Sequence, residues 1–245
     1  MKKTFTKKRS AFSLIELSIV LIIIGLLIAG VTGGASLIKS SELRSVMGEA
    51  RGYSVAVNAF YTQYNALPGD FKSTLAYGTE GNSDNYIKYY DGTLSEGANA
   101  WMQLKAIGAI DSITGITLVG AATAGPSYGV TAPASKIKAS GWIFSTLSVG
   151  GTKNYVVLTG PVIAATAAAE ADTLATGALA PADALSIDSK IDDGLAISGR
   201  VVGNVIAAGN DAVNDATTCY NTATATYAPR SEKTCAVAYQ VDVNS

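Results

Sequence analysis

A run of almost uniformly apolar residues near the N-terminus constrains this chain more than any other feature. The run extends from Phe12 to Val31, and the one charged residue between Arg9 and Lys39 is Glu16. About 20 apolar residues are what a helix needs to cross the hydrocarbon core of a bilayer. Because a carboxylate inside such a segment is costly and is usually functional, Glu16 is the first candidate for a functional residue.

Three interpretations of this run are open. It fits a secretory signal peptide, since basic residues precede it and small residues at 32–35 offer a place for cleavage. It also fits an ordinary single-pass membrane anchor. Neither of these explains why an acidic residue, Glu16, lies four residues beyond the start of the apolar run.

The third interpretation comes from the residues that surround Glu16. Ser10-Ala11 precedes Phe12, and the sequence Ser13-Leu14-Ile15-Glu16-Leu17 leads into the aliphatic run. This order resembles the prepilin N-terminus of type IV pilins and type II secretion pseudopilins. In that family a short basic leader ends at a small residue, usually glycine, and Phe-T/S-L-I-E-L follows. Glu16 is fifth counting from Phe12, as in the family, and Ala11 stands where glycine is usual.

The resemblance implies specific processing and specific partners. A prepilin peptidase would cut between Ala11 and Phe12 on the cytoplasmic face, and the new amino group of Phe12 would be methylated. Glu16 would pair with the Phe12 ammonium of a neighbouring subunit and set the register of stacking; the alternative is that Glu16 snorkels to the headgroups. The implied partners are identical or homologous pilin subunits, the peptidase/methyltransferase and an inner-membrane assembly platform.

Charge predicts how the chain is arranged about the membrane. The leader, residues 1–11, contains five basic residues and no acidic one, so we expect the N-terminus to be cytoplasmic. With the resemblance, this orientation implies that residues 12–34 span the inner membrane and that residues 35–245 form a periplasmic domain, which becomes part of an extracellular pilus or a periplasmic pseudopilus. Without those five, the 18 basic residues fall to 13 against 19 acidic ones, and this acidic balance predicts no nucleic-acid partner.

The stretch 35–66 shows helical periodicity. Its apolar residues recur at alternating steps of three and four, which places them on one stripe of a 3.6-residue helix. We expect the membrane helix to continue unbroken into the globular domain and to bury this stripe there, until Leu67-Pro68 stops it. The stripe consists of Leu43, Val46, Ala50, Tyr53, Val57, Phe60 and Tyr64.

The rest of the chain predicts shorter elements. Residues 72–100 indicate a loop, and the segment 160–180, rich in alanine and threonine, indicates either a surface loop or a subunit contact. A long helix followed by an antiparallel sheet is an α+β arrangement, which is also the pilin-like fold that the resemblance implies. The predicted elements are helices at 101–110 and 181–191, a hairpin of 137–149 with 154–159, and strands at 198–208 and 236–243.

The chain has two cysteines, Cys219 and Cys235. An exported domain meets oxidising conditions, so we expect a disulfide that closes a C-terminal loop, as members of the resembled family often have; two free thiols are the alternative. A zinc site is not expected, because the sequence has no histidine and only these two thiols.

Candidate chemistry outside the N-terminus is sparse. Asp188, Asp192 and Asp193 lie in SIDSKIDDG and offer oxygen ligands that would suit calcium, but a capped helix end and turn explains them as well. The sequences Ser36-Leu37-Ile38-Lys39 and Ser83-Asp84-Asn85 match two of the three motifs of penicillin-recognising enzymes, and the third, K-T-G, is missing.

These observations favour a structural subunit of a type IV pilus or a type II secretion pseudopilus, with no cofactor and no enzymatic activity. The alternative is a membrane-anchored binding domain or enzyme that uses the apolar run only as an anchor.

Overall fold

The computed structural model describes residues 13–72, 81–89, 96–114, 127–147, 153–163, 174–203, 205–206, 212–213, 219–221 and 223–241. The leader and the predicted processing bond between Ala11 and Phe12 lie outside these residues. The chain divides into two compact units, Met1–Glu42 and Leu43–Ser245.

A single helix, α1 (Leu14–Tyr64), runs through the N-terminal part of the chain. The predicted stripe is confirmed in the second unit, where every member from Leu43 to Phe60 is buried and Tyr64 packs against the same core. The helix ends where Asn65 takes a left-handed backbone conformation (φ +50°). The helix does not resume at Leu67, because the residue before a proline is sterically disfavoured from the helical conformation.

A second helix, α2 (Glu96–Ala106), begins and ends earlier than the predicted helix at 101–110. Its end is set by Gly108 at φ +72°, whose amide donates to the Lys105 carbonyl at 2.9 Å while the Ala109 amide donates to that of Leu104 at 2.9 Å. These are the bonds of a glycine-terminated helix end. Its first turn was missed because it is polar in sequence, although Glu96 and Asn99 are fully or almost fully buried.

The main sheet confirms the α+β arrangement. Its four strands pair antiparallel in the order β1-β2-β8-β5. The predicted hairpin is β1 with β2, and its turn around Gly150-Gly151 lies outside the described residues. The strands are β1 (Gly141–Leu147), β2 (Lys153–Thr159), β5 (Val201–Val202) and β8 (Val237–Gln240).

Both faces of the main sheet are apolar and buried, whereas an antiparallel sheet commonly leaves one face to solvent. Trp142 pairs with Leu158, and Val156 with Tyr239; these four belong to the core that contains the α1 stripe. The alternate residues form a second buried cluster, with the partly buried Tyr89 and Tyr128 packed against it. That cluster consists of Ile143, Tyr155, Val157, Val202, Ala236 and Ala238.

The region after the main hairpin contains one element that matches the prediction and one that does not. A helix, α3 (Pro181–Ile191), has the predicted bounds. The predicted strand at 198–208 is instead two short strands in different sheets, and Gly203 lies between them. A Cβ at Gly203 would lie 2.1 Å from the Tyr227 ring, so the backbone passes close to that ring. A second sheet has the order β3 (Val162–Ile163), β4 (Leu174–Ala175), β7 (Ala212–Val213) and β6 (Val205–Ile206).

The expected disulfide is confirmed between Cys219 and Cys235, whose Cα atoms are 4.9 Å apart. Both residues are buried. Leu179, just before α3, exchanges two backbone hydrogen bonds with Cys235 at 2.9 and 3.1 Å. The disulfide therefore closes the loop between Cys219 and Cys235, and the backbone bonds of Cys235 attach that loop to the segment before α3.

Aromatic side chains join α1 to α2 and β1. The Tyr53 ring meets Trp101 edge-on at 5.0 Å and Trp142 at 5.6 Å between centroids, and Trp101 lies 4.2 Å from Phe144. Edge-to-face contacts of this kind add to the stabilisation that burial of the rings supplies.

One carboxylate on α1 also binds β1 directly. Glu49 Oε2 accepts hydrogen bonds from the Trp142 indole N–H (2.8 Å) and the Ser135 hydroxyl (2.9 Å), and its Oε1 accepts the Lys136 amide (3.2 Å). Trp142 is only 1% exposed, so its indole N–H depends on a protein acceptor.

We expect Glu49→Ala to lower the free energy of unfolding by about 2–3 kcal/mol, because a buried indole N–H loses a charged acceptor. Alanine favours the helix, so backbone propensity does not add to the loss. Urea unfolding of the full chain in detergent, followed by the fluorescence of Trp101 and Trp142, measures the change. The matched control is Glu42→Ala on the exposed part of the same helix, expected within about 0.5 kcal/mol of the unsubstituted chain. Equal losses in the two variants would contradict the prediction.

Candidate functional site

The start of α1 is held by a reciprocal pair of side chain to backbone contacts. The Ser13 carbonyl accepts the Leu17 amide at 3.2 Å, so Ser13 is the N-cap residue. The Ser13 hydroxyl lies 3.4 Å from the Ile15 amide, which donates to it, and the Ser13 amide donates to Glu16 Oε2 at 2.9 Å. We call these two contacts the capping box: the Glu16 carboxylate accepts the N-cap amide as in the usual motif, whereas the Ser13 hydroxyl accepts from the second helical amide, that of Ile15, rather than from the third.

Glu16 therefore has a local contact that its placement in the apolar run did not suggest. The signal was present in the sequence, because S-x-x-E before an apolar run is the pattern of a capping box. The contact lies at the helix start, where a carboxylate is also favoured by the helix dipole. The contact joins Glu16 to Ser13, the residue that directly follows Phe12.

The apolar run itself presents its side chains to the surroundings. Leu14 is 88% exposed and Val31 is 71% exposed, and the large apolar side chains between them are exposed as well. Within α1, the most apolar 18-residue window has a mean hydropathy of 2.8. Among the described residues, α1 is the helix that is long and apolar enough to cross a membrane.

The three predicted carboxylates at the end of α3 come together, with oxygens within 4.8 Å of one another. We call Asp188, Asp192 and Asp193 the carboxylate turn. Each accepts two hydrogen bonds from the chain itself. The donors are the Gly194 amide and Tyr227 hydroxyl to Asp188, the Arg200 and Val201 amides to Asp192, and the Leu195 amide and Ser198 hydroxyl to Asp193.

These contacts favour the interpretation of a helix end and turn. A Cβ at Gly199 would lie 1.7 Å from Asp192 Oδ2, and Gly199 has φ +77°, so glycine is needed for the backbone to approach the carboxylate. A calcium ion at the carboxylate turn would have to share oxygens that already accept backbone and hydroxyl donors. Calcium binding by these residues stays a prediction.

Burial raises the pKa values of Asp188 and Tyr227, which are hydrogen-bonded to each other at the carboxylate turn. Burial raises the pKa of Asp188 to about 6, while the hydrogen bonds from Tyr227 and Gly194 act in the opposite direction and the charges of Asp193 and Asp192 add to the rise. The pKa of the Tyr227 hydroxyl is also raised, by its burial and then by the Asp188 charge. The pair therefore holds its protons more strongly than the same groups do in water.

A second carboxylate cluster, not singled out from the sequence, contains Asp70, Asp84 and Glu96. Asp70 is 3% exposed, and its two oxygens accept the Asp84 and Asn85 amides at 3.0 and 2.8 Å. Burial raises the pKa of Asp70. The Lys88 ammonium binds the Asp84 carboxylate, so one of the three carboxylates has a cationic partner from the chain itself.

The S-D-N motif lies in a turn and the S-x-x-K motif lies on α1. Ser83 and Asn85 both have left-handed backbone conformations (φ +61° and +66°), so S-D-N forms the turn that Asp70 fastens. The Asn154 amide donates to the Asn85 carbonyl at 3.0 Å and ties the same turn to β2. Ser36 lies exposed on α1 in the first unit. This arrangement does not favour a serine nucleophile.

The raised pKa of Asp188 predicts a stability change with pH. The carboxyl has its ordinary pKa of 3.8 in the unfolded chain and about 6 in the folded one, so between these values the folded state binds a proton that the unfolded state lacks. The free energy of unfolding that Asp188 contributes must then fall as pH rises from 4 to 6.

Because asparagine does not titrate, Asp188→Asn should lack this part of the pH dependence. Unfolding of both chains in urea and a chelator at pH 4, 5, 6 and 7 gives the comparison. The unsubstituted chain should gain stability relative to the variant as pH falls. Asp111→Asn, at an exposed carboxylate, is the control and should follow the unsubstituted chain. Parallel curves for Asp188→Asn and the unsubstituted chain would show that Asp188 does not titrate in this range.

Comparison with known protein families gives a match over residues 6–32, to the family described as the prokaryotic N-terminal methylation motif. No match is found among curated proteins or among solved structures. The matched residues include the whole of the predicted processing site and Glu16. The motif confirms the resemblance and points to a structural subunit rather than an enzyme. The chain therefore carries the prepilin signature of type IV pilins and pseudopilins, on an α+β, pilin-like fold.

Proposed function

We propose that this chain is a pilin or pseudopilin, which prepilin peptidase processes and which polymerises into a filament through its N-terminal helix. The observation that carries the proposal is the N-terminal methylation motif at residues 6–32, which leads into an apolar helix with exposed side chains. In water such a surface is unfavourable, and a bilayer or a bundle of equivalent helices would remove it from water.

The processing site follows from the motif. We propose that the peptidase cuts between Ala11 and Phe12, that the Phe12 amino group is methylated, and that the basic leader stays on the cytoplasmic side. The chain then spans the inner membrane once, with residues 35–245 in the periplasm. An inner-membrane assembly platform would move it into an extracellular pilus or a periplasmic pseudopilus.

The glycines of the span support helix association. Gly25, Gly30, Gly33 and Gly34 face open space, since a Cβ at any of them would meet no other atom within 4 Å. Glycine weakens a helix interior relative to alanine, and packing within the described part of the chain does not require it there. Small residues let two helix backbones approach closely in an apolar environment.

Glu16 is the proposed assembly residue. A carboxylate in lipid needs a partner, and the Phe12 ammonium of a neighbouring subunit would supply the opposite charge. Glu16 Oε2 accepts the amide of its own Ser13, which leaves the carboxylate with capacity for further donors. The pair would then fix the axial register between subunits.

We propose that the chain needs no cofactor for this role. The carboxylates most suited to a metal, those of the carboxylate turn, serve as acceptors for the backbone around Gly194 and Val201. The sequence contains no histidine, so the commonest general base is missing from any catalytic alternative.

The first test is the mass of the mature N-terminal peptide isolated from cells. It should begin at Phe12 and carry one methyl group on its amino nitrogen. A peptide that begins near Ala35 would indicate signal-peptidase cleavage and overturn the proposal. A peptide that begins at Met1 would favour the alternative of a membrane-anchored binding domain or enzyme.

The second test is Glu16→Gln, which we expect to abolish or greatly reduce filaments while the protein remains inserted and folded. Glutamine keeps the size of the side chain and can still close a capping box, so the variant removes the charge and leaves the local contact. Insertion should not suffer, because an amide is less costly in lipid than a carboxylate.

The variant is expressed in a strain that lacks the native copy, membrane protein is confirmed by blot, and sheared filaments are counted by electron microscopy. Glu42→Gln, on the exposed part of α1 beyond the span, is the matched control and should assemble normally. Normal filament number and length for Glu16→Gln would favour the alternative of a membrane-anchored binding domain or enzyme.

A further inference from the structure

An amine and a carboxyl group meet in the segment 81–89, in the second unit of the chain. The Lys88 ammonium contacts Asp84 Oδ2, and these two side chains are 32% and 30% exposed, so most of each is removed from water. The backbone between them is not helical, since Asn85 has a left-handed conformation (φ +66°). The contact therefore depends on what holds this segment in place.

A buried carboxyl group fixes the backbone of each partner. The Asp84 amide donates to Asp70 Oδ1 at 3.0 Å, and the Lys88 amide donates to Glu96 Oε2 at 3.0 Å. Asp70 is 3% exposed and Glu96 is fully buried. Two groups held together by such anchors react at effective concentrations far above those reached in solution, because the entropy of bringing them together is already lost.

The same carboxyl groups provide for proton transfer beside the pair. An ammonium has no lone pair with which to attack, and a nucleophilic amine needs a neighbouring group to take its proton. Oxygens of Asp70, Asp84 and Glu96 lie within 4.8 Å of one another, and carboxyl groups so close together favour retention of a proton. Burial raises the pKa of Asp70, so its carboxyl can carry a proton from nitrogen to oxygen.

We propose that Lys88 and Asp84 become joined by an amide bond in the folded chain. The Lys88 nitrogen bonds to the Asp84 carboxyl carbon, and one carbon–oxygen bond of that carboxyl breaks. Of the three ammonium hydrogens, one stays on the amide nitrogen and two leave with the oxygen as water. The two charges cancel, and no oxidant, reductant or further reactant is consumed.

An amide bond changes how this segment is held. An exposed or partly exposed ion pair weakens as salt is added, whereas a covalent ring from residue 84 to residue 88 keeps the turn at Asn85 closed in any salt. The cross-link lies in the second unit. It therefore does not depend on the processing or the assembly of the N-terminal helix.

Peptide masses from the full chain test the cross-link. Trypsin cuts after lysine, and an amide on the Lys88 nitrogen removes the charge that the protease recognises. We expect one peptide of residues 73–105, uncut at Lys88 and lighter by one water, with fragment ions that place the loss within residues 84–88. Lys105, whose ammonium binds the Ile113 carbonyl, is the internal control and should be cut normally.

Lys88→Arg is the matched variant. Arginine keeps the positive charge and binds a carboxylate well, but its guanidinium stays protonated and does not attack a carboxyl carbon. The ion pair is therefore kept while the cross-link is lost. The variant should be cut at position 88 and should give both peptides at full mass.

Three results would overturn the proposal. The first is an unsubstituted chain that trypsin cuts at Lys88, with both peptides at full mass. The second is a loss of water that persists in Lys88→Arg. The third is a loss that the fragment ions place outside residues 84–88, because another aspartate would then have formed a cyclic imide with its own backbone.

Discussion

The packing of the α1 stripe on the main sheet is the contact on which the second unit depends. Val57 and Phe60 are completely buried in the same core as Trp142 and Val156, and apolar area of this kind supplies most of the free energy that holds a domain together. Because the stripe forms part of that core, loss of this part of α1 would expose its apolar side chains and those of the sheet to water. The helix that contains the apolar run therefore also contributes, from Leu43 onward, to the hydrophobic core of the second unit.

Several carboxylates in the described part of the chain act as hydrogen-bond acceptors for its own backbone and side chains. Glu16 caps a helix, Glu49 binds the Trp142 indole, and Asp70 fastens a turn. In each place a donor would otherwise lack a partner, and a charged acceptor makes the stronger bond.

Periodicity predicted the part of α1 that lies in the globular domain, because its burial follows the 3.6-residue repeat. It failed where tertiary contacts decide the outcome. The first turn of α2 is polar in sequence yet Glu96 is fully buried, and the predicted strand divides near Gly203, where the Tyr227 ring lies close to the backbone. The disulfide followed from the number of cysteines and from export. Within the candidate site, the sequence predicted Glu16 as a functional residue but not its bond to Ser13. The family resemblance implied a partner for Glu16 in another subunit instead.

On the proposed function, the capping box answers a physical difficulty that the motif alone leaves open. A subunit must wait in the bilayer before a neighbour arrives, and an unsatisfied carboxylate there would be costly. Glu16 meets this cost within its own chain, by accepting the Ser13 amide at the positive end of the helix dipole. A neighbour's ammonium would then add to a contact that already exists. Assembly would then depend on the charge that Glu16 still offers to that ammonium.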